Sequence, residues 1–242
     1  MSTFGQIIRA VAVRPERTWR IPAGLSRGIK VKADKAASLH KYIGTGERET
    51  VKYLEEFARP GAICFDVGCH DAQLAMSLAR LTKADVWCFE HDPICIARMA
   101  TNMSLNPAVA KFLHVIQTYV AHESVEHPRA DSLDDLIADH RIPIPYFIKI
   151  DVEGAEQSVL RGATELLGNH KPHILLETHT RELSVVCAAQ LVSLGYDPVI
   201  KVSQRSRFRE NRDPVNGWLV AQGKPSQQRA LGRSSSRATI HG

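Results

Sequence analysis

Asp66 and Glu90 lie 24 residues apart, each at the end of an apolar run, CFDV and DVWCFE. A third acid, Asp151, follows the apolar run YFIKI. A dinucleotide site at the first of these turns would need Gly-x-Gly-x-x-Gly, because a pyrophosphate must approach backbone N–H groups closely. The turn Asp66-Val67-Gly68-Cys69-His70-Asp71 has one glycine and carries a carboxylate where the first glycine should be. That carboxylate repels phosphate and attracts an ammonium. S-adenosylmethionine has an ammonium, a sulfonium and no phosphate, and Gly68 leaves room for it to lie against the turn. An acid about 20 residues beyond the first turn is placed to accept the two hydroxyls of an adenosine ribose, which is the expectation for Glu90. The alternatives are that Asp66 caps the next helix and that Glu90 complements a helix dipole.

Asp151 is expected near the methyl end of such a ligand, with Gly154 allowing close approach. Glu153 and Glu156 read more simply as acids at the start of the next helix. An alcohol acceptor must lose a proton as its oxygen is methylated, so a base is useful. Asp151, Glu153, Glu177 and His179 are the candidates. His179 has the most useful unperturbed pKa, about 6.5, and Asp151 is the better choice for positioning; the alternative for His179 is a hydrogen-bonded structural role. Cys88, His91 and Cys95 have a spacing that suggests zinc, but no fourth ligand is evident. No metal is expected. His170 and His173 read as surface or supporting residues.

These residues need strands to present them. Apolar runs at 62–67, 85–90, 111–117, 146–150 and 173–176 alternate with helical patterns at 47–57, 72–81, 93–105, 132–139, 155–167 and 183–194. Two further strands, 197–202 and 217–221, have only polar residues between them and are expected to pair antiparallel at one edge. The alternation predicts an α/β fold with a doubly wound, mostly parallel seven-stranded sheet. Ligands of such sheets bind beyond the carboxyl ends of the strands, where Asp66, Glu90 and Asp151 fall.

The chain has 242 residues, enough for one α/β domain with appendages. Its net charge of +5 is unevenly spread. Residues 1–41 and 201–242 each carry nine Lys and Arg against two acids, and the middle is acidic. Basic ends can hold a protein near anionic partners, but the stretch after residue 222 has the composition of a solvated tail. The expected division is a basic N-terminal segment, 1–41, partly packed on the core, a catalytic domain, 42–221, and a disordered basic tail, 222–242. No apolar run is long enough to cross a bilayer, and the odd number of cysteines, five, argues for reduced thiols. A cytoplasmic protein is the expectation.

At these motifs the chain resembles the FkbM family of S-adenosylmethionine-dependent methyltransferases. The likeness rests on FIKIDVEGAEQSVLRGA (147–163), PHILLETH (172–179), SLDD (132–135), FDVGCHDA (65–72), FEHDP (89–93) and IGTGERE (43–49). It implies a class I, Rossmann-like methyltransferase fold with S-adenosylmethionine as cofactor. It also implies O-methylation of a hydroxyl on a sugar, glycolipid or secondary-metabolite acceptor. By matching positions Asp66, Gly68 and Glu90 hold the cofactor, and Glu47 and Asp151 stand at its methyl end. The chain departs from the family pattern at His70 (usually Asn), Ala72 (usually Gly) and His91 (usually Pro), and 121–132 is short. His70 and His91 line the same turns and complete the expected cofactor set.

Three other classes were weighed on the residues. A nicotinamide-dependent oxidoreductase lacks its glycine motif. A methyltransferase fold that binds a partner without turnover stays open because of His70 and Ala72. A nucleic-acid methyltransferase is suggested only by the basic ends, and the acidic loop 151–156 would repel a phosphate backbone.

Overall fold

The computed structural model describes residues 17–33, 39–44, 46, 48–125, 129–203 and 217–225. Its elements in chain order are β1 (Thr18–Arg20), β2 (Lys30–Lys32), α1 (Leu39–Ile43), α2 (Val51–Phe57), β3 (Cys64–Val67), α3 (Gln73–Thr82), β4 (Val86–Glu90), α4 (Pro93–Ser104), α5 (Pro107–Ala110), β5 (Leu113–Gln117), β6 (Tyr119–Val120), β7 (Ala130–Asp131), α6 (Leu133–Ala138), β8 (Phe147–Ile150), α7 (Glu156–Arg161), α8 (Thr164–His170), β9 (His173–Thr178), α9 (Arg181–Ser193), β10 (Val199–Ser203) and β11 (Gly217–Ala221).

Seven strands form one sheet in the order β10-β11-β9-β8-β3-β4-β5. Pairings from β9 through β5 are parallel, and β11 pairs antiparallel with both β9 and β10. β3 and β8 lie at the centre, and all eight of their residues are buried. A strand covered on both faces has no polar side to show, which is why their sequences, CFDV and FIKI, do not alternate in hydropathy. Cys64 and Phe147 join the core formed by Tyr53, Leu54 and Phe57 of α2, Met76 and Leu78 of α3, and Met99 of α4. Phe65, Val67, Ile148 and Ile150 point to the opposite core, packed by Leu133, Leu160, Leu166, Cys187 and Leu191. Parity along the strands therefore puts the polar residues Asp66 and Lys149 on the same face, and the β3–β8 register sets them directly opposite each other.

Three features depart from the expectation. The predicted helix 155–167 is two helices, α7 and α8, broken at Gly162 and Ala163. A Cβ at Gly162 would lie 2.0 Å from the carbonyl oxygen of Ala121, so the crossing chain fills the space where the helix wall would be. Asp134 of the SLDD segment receives the second helix: its two carboxylate oxygens accept from the backbone N–H groups of Glu165 and Leu166, both at 2.9 Å. Second, the short stretch after β5 contributes the two-residue strands β6 and β7, paired parallel to each other.

Third, β1 and β2 make an antiparallel hairpin that belongs to the core. Ile21, Ile29 and Val31 are fully buried. The hairpin docks through Asn102 and Asn106 of α4 and its exit, which accept from the backbone N–H groups of Lys32 and Lys30. Trp19 donates to the Tyr42 carbonyl at 2.8 Å. At the other end, Gln222 and Gly223 are tied back to Glu56 and His173. The expected tail otherwise lies outside the described residues beyond Pro225.

Candidate active site

The carboxyl ends of β3, β4 and β8 open into a cavity of about 1040 Å³. Its wall includes Asp66, Gly68, His70, Glu90, His91 and Asp151, so six of the residues singled out in the sequence share one space. Glu47 lies outside the described residues. His179 is not in the wall but reaches Asp151 from behind it.

Asp66, the penultimate residue of β3, has no exposure, and its carboxylate is met by the Lys149 ammonium only at the long limit of a hydrogen bond. Lys149 Nζ stands 3.5 Å from its Oδ1. Burial dominates over this cation, with Asp151 and Glu90 adding repulsion, and the carboxyl is pushed up to about 6. A buried carboxylate with one distant cationic partner has acceptor capacity left for a further donor. Capping is not its role, since the residue preceding α3 is Ala72, which makes no side-chain cap.

Gly68 follows with φ of +77°. Its importance is different from the one expected. A Cβ there would lie 1.8 Å from the carbonyl oxygen of Asp151, so the glycine is required by the neighbouring turn of the protein as well as by any ligand. His70 and Ala72 adopt left-handed φ values of 50° and 61°. These are the two positions where the family pattern has Asn and Gly, the residues that tolerate such a backbone best.

Glu90 is nearly buried, and its carboxylate braces both turns. Oε2 accepts from the His70 N–H at 2.9 Å, and Oε1 accepts from those of His91 and Asp92 at 2.8 and 3.0 Å. The imidazole of His91 is exposed and meets Tyr119 edge-on at 5.0 Å. Across the opening, Lys41 from α1 pairs with Asp71 at 2.8 Å. Burial would raise the Asp71 carboxyl, but Lys41 and His70 outweigh it and hold the group well below the usual range.

The β8 end carries a linked set of charges. Lys149 Nζ lies 3.2 Å from Asp151 Oδ2. Asp151 Oδ1 lies 3.6 Å from His179 Nε2, and His179 Nδ1 lies 2.5 Å from Glu156 Oε1. Glu156 has no exposure. Its hydrogen bond, opposed by burial and aided by Asp151 and Glu177, raises the His179 pKa. Burial raises the Glu156 carboxyl, yet His179 and nearby backbone N–H groups outweigh it and hold the group below the usual range. Glu156 was assigned from sequence to a helix end and Lys149 to the interior of a strand. A lysine inside FIKI was the available signal, because a charge in a fully buried strand requires a partner. His173 stands apart, stacked on Phe57 at 4.4 Å and, through burial and Arg59, lowered to about 4.

Residues 124–197 match the family model of the methyltransferase FkbM domain. This segment of the chain is similar to the FkbM methyltransferase domain. The match spans the loop before β7 through the start of the β10 approach and contains Asp151, Glu156, Glu177 and His179. Residues 43–139 match a second model, ribosomal protein L11 methyltransferase (PrmA), over the half that holds Asp66 and Glu90. The segment similar to the FkbM domain is thus the one that bears the Asp151–His179–Glu156 chain.

Among curated proteins, the chain is 26% identical over 157 residues to hexuronic acid methyltransferase AglP of Haloferax volcanii, covering 55% of this chain and 63% of that one. It is 36% identical over 67 residues to ribosomal protein L11 methyltransferase of Caldanaerobacter subterraneus, covering 26% and 22%. The chain therefore spans less than two thirds of either relative. Among solved structures, methyltransferase FkbM of Methylobacillus flagellatus superposes with a TM-score of 0.53 at 19% identity, covering 89% of this chain and 57% of that one. Precorrin-6y C5,15-methyltransferase of Geobacter metallireducens gives 0.55 at 14% identity, over 78% and 93%. Both show the fold, the Rossmann-like class I methyltransferase sheet. Among the described residues, no helix is long and apolar enough to cross a membrane.

Proposed function

We propose that the protein is an S-adenosylmethionine-dependent O-methyltransferase whose acceptor is a sugar, glycolipid or secondary-metabolite oxygen. The observation that carries the cofactor half is Asp66: a fully buried carboxylate on the wall of the cavity whose cationic partner Lys149 stands 3.5 Å away. An ammonium donor satisfies it, whereas a pyrophosphate would be repelled. Glu90 keeps further acceptor capacity on Oε2, which accepts one N–H, for a ribose hydroxyl, while Oε1 already accepts two. Ile94 and Tyr119, both exposed in the cavity wall, are suited to cover the faces of an adenine.

When bound, the sulfonium supplies a methyl group to an acceptor oxygen: an O–C bond forms, the C–S bond breaks with its electron pair left on sulfur, and the hydroxyl proton departs. The chain's own work is then positioning and proton handling. An oxygen nucleophile must be held in line at about 3 Å from the reacting carbon. Asp151, one residue beyond β8 and half-buried, is the group proposed to hold it, with His179 beside it as the group that manages its proton. The relative that acts on a hexuronic acid supports a sugar acid or sugar hydroxyl as the acceptor class.

The test is calorimetric titration of the full chain with S-adenosylmethionine and, separately, NADH. Saturable binding of the first and none of the second is expected, and the reverse overturns the reading. Transfer of an isotopically labelled methyl group to uronic-acid and neutral-sugar acceptors, read by mass spectrometry, then tests the acceptor class.

A further inference from the structure

We propose that Asp151, Glu177 and His179 form a site for one divalent cation of the Mg²⁺ or Mn²⁺ class, and that this cation holds the acceptor oxygen. The role in the reaction rests on the reading of this corner as the acceptor end; the binding itself does not.

Three observations carry it. The first is proximity: one ligand atom from each of the three side chains lies within 4.8 Å of the others. Ligand atoms about 2.1 Å from an ion sit roughly 3–4 Å apart, so small side-chain rotations close the set. The sheet builds this placement. The β8–β9 register pairs Ile150 with Leu176 and so carries Asp151 past the strand end beside Glu177.

The second is the orientation of the imidazole. Its Nδ1 is held at 2.5 Å by the carboxylate of fully buried Glu156, which turns Nε2 toward Asp151. A metal-binding histidine is characteristically fixed in this way, with its other nitrogen donating to a carboxylate that sets the tautomer and raises its basicity.

The third is charge. Asp66, Asp151, Glu156 and Glu177 share this region with Lys149 as the ammonium that the structure sets against Asp66 and Asp151. Glu156 also keeps Oε2 buried without a hydrogen bond. These carboxylates stand close together among the described residues, and a divalent ion on a neutral imidazole is attracted to them more strongly than a single proton's charge would be. Oxygen ligands with one imidazole suit Mg²⁺ or Mn²⁺. Three protein ligands leave positions open for water and for the acceptor, whose hydroxyl proton is more easily lost once its oxygen is on the cation. A cation on Nε2 occupies the lone pair that a base would use, so with the cation bound the acceptor's proton leaves to water, and the proton-handling role given above to His179 belongs to the metal-free chain alone.

The experiment is titration of chelator-treated full chain with MnCl₂ near neutral pH, following the free Mn²⁺ signal by electron paramagnetic resonance. One Mn²⁺ per chain is expected, displaced by excess Mg²⁺. Glu177→Gln and His179→Gln should each weaken binding at least tenfold, while Val185→Ala, an exposed position on α9, leaves it unchanged. No binding at about 1 mM Mn²⁺, the weak end of biological divalent sites, overturns the proposal. Binding that survives both substitutions overturns it as well. S-adenosylmethionine is titrated into the same samples, so loss of fold and failure of the nucleoside reading are each seen separately from failure of the cation site. A metal-free His179 that shows an imidazolium by NMR and takes no Mn²⁺ assigns the residue to proton transfer instead.

Discussion

Glu156 Oε1 and His179 Nδ1 are 2.5 Å apart, joining the first residue of α7 to the turn after β9 across 23 positions of sequence. The pair fixes the ring that faces Asp151, and each partner shifts the other's titration.

The pH dependence of stability follows from those directions. His179 is raised, so its contribution is fully present below its unfolded value of about 6.5 and is lost as pH rises through the folded value. Glu156 is lowered, so its contribution is present above its unfolded value, about 4.5, and is lost as pH falls through the folded one. Urea unfolding of metal-free protein from pH 4 to 9 should show both losses. Glu156→Gln should flatten both; a curve identical to the parent's would remove this pair from the pH dependence.

Asp66→Asn should make the protein more stable and less able to bind its cofactor. The carboxyl sits at about 6 because burial opposes its charge. An unfolded value near 3.8 means stability falls as pH rises between the two. Removing the charge should add about 1–3 kcal/mol at pH 8, measured by chemical unfolding. A loss of stability together with intact S-adenosylmethionine affinity would contradict the role given to this residue.

Gly68→Ala should destabilise by about 2–4 kcal/mol, combining left-handed strain with overpacking against backbone. The added methyl would meet the Asp151 carbonyl oxygen at 1.8 Å, and no side-chain rotation can relieve that. Gly61→Ala is the control. It too has positive φ but nothing within 4 Å, so it should lose only the conformational part, about 1 kcal/mol.

His70→Asn should stabilise by about 0.5–1 kcal/mol, because Asn tolerates the left-handed backbone better and the ring is half exposed. Ala72→Gly should be close to neutral. There the relief of about 1 kcal/mol is offset by losing a fully buried methyl, worth about 0.8 kcal/mol. Thermal melts of the two variants check the difference in sign and size.

The fold was legible wherever a pattern is local. The seven strands and their antiparallel edge follow from apolar runs and from the polar sequence that separates the last two of them. The strand-end acids Asp66, Glu90 and Asp151 follow from those runs, and they do share a cavity. What was not legible depends on approach from elsewhere in the chain. The break at Gly162 is made by the Ala121 carbonyl. The β1–β2 hairpin has strands of three residues, too short to show a period, and is held by asparagines some 70 residues away. Glu156 had a sufficient local explanation at a helix start, which hid its partner His179.

The contact between Gly68 and Asp151 has one more consequence. Main chain rests on main chain there, with no side chain between, so the turn after β3 and the turn after β8 are indexed to a single point. Under the proposed function, the gap that a methyl group must cross would then be set by the skeleton of the sheet. Residues around the acceptor can change with little effect on that gap, which leaves the fold free to take up new acceptors while keeping the distance on which transfer depends.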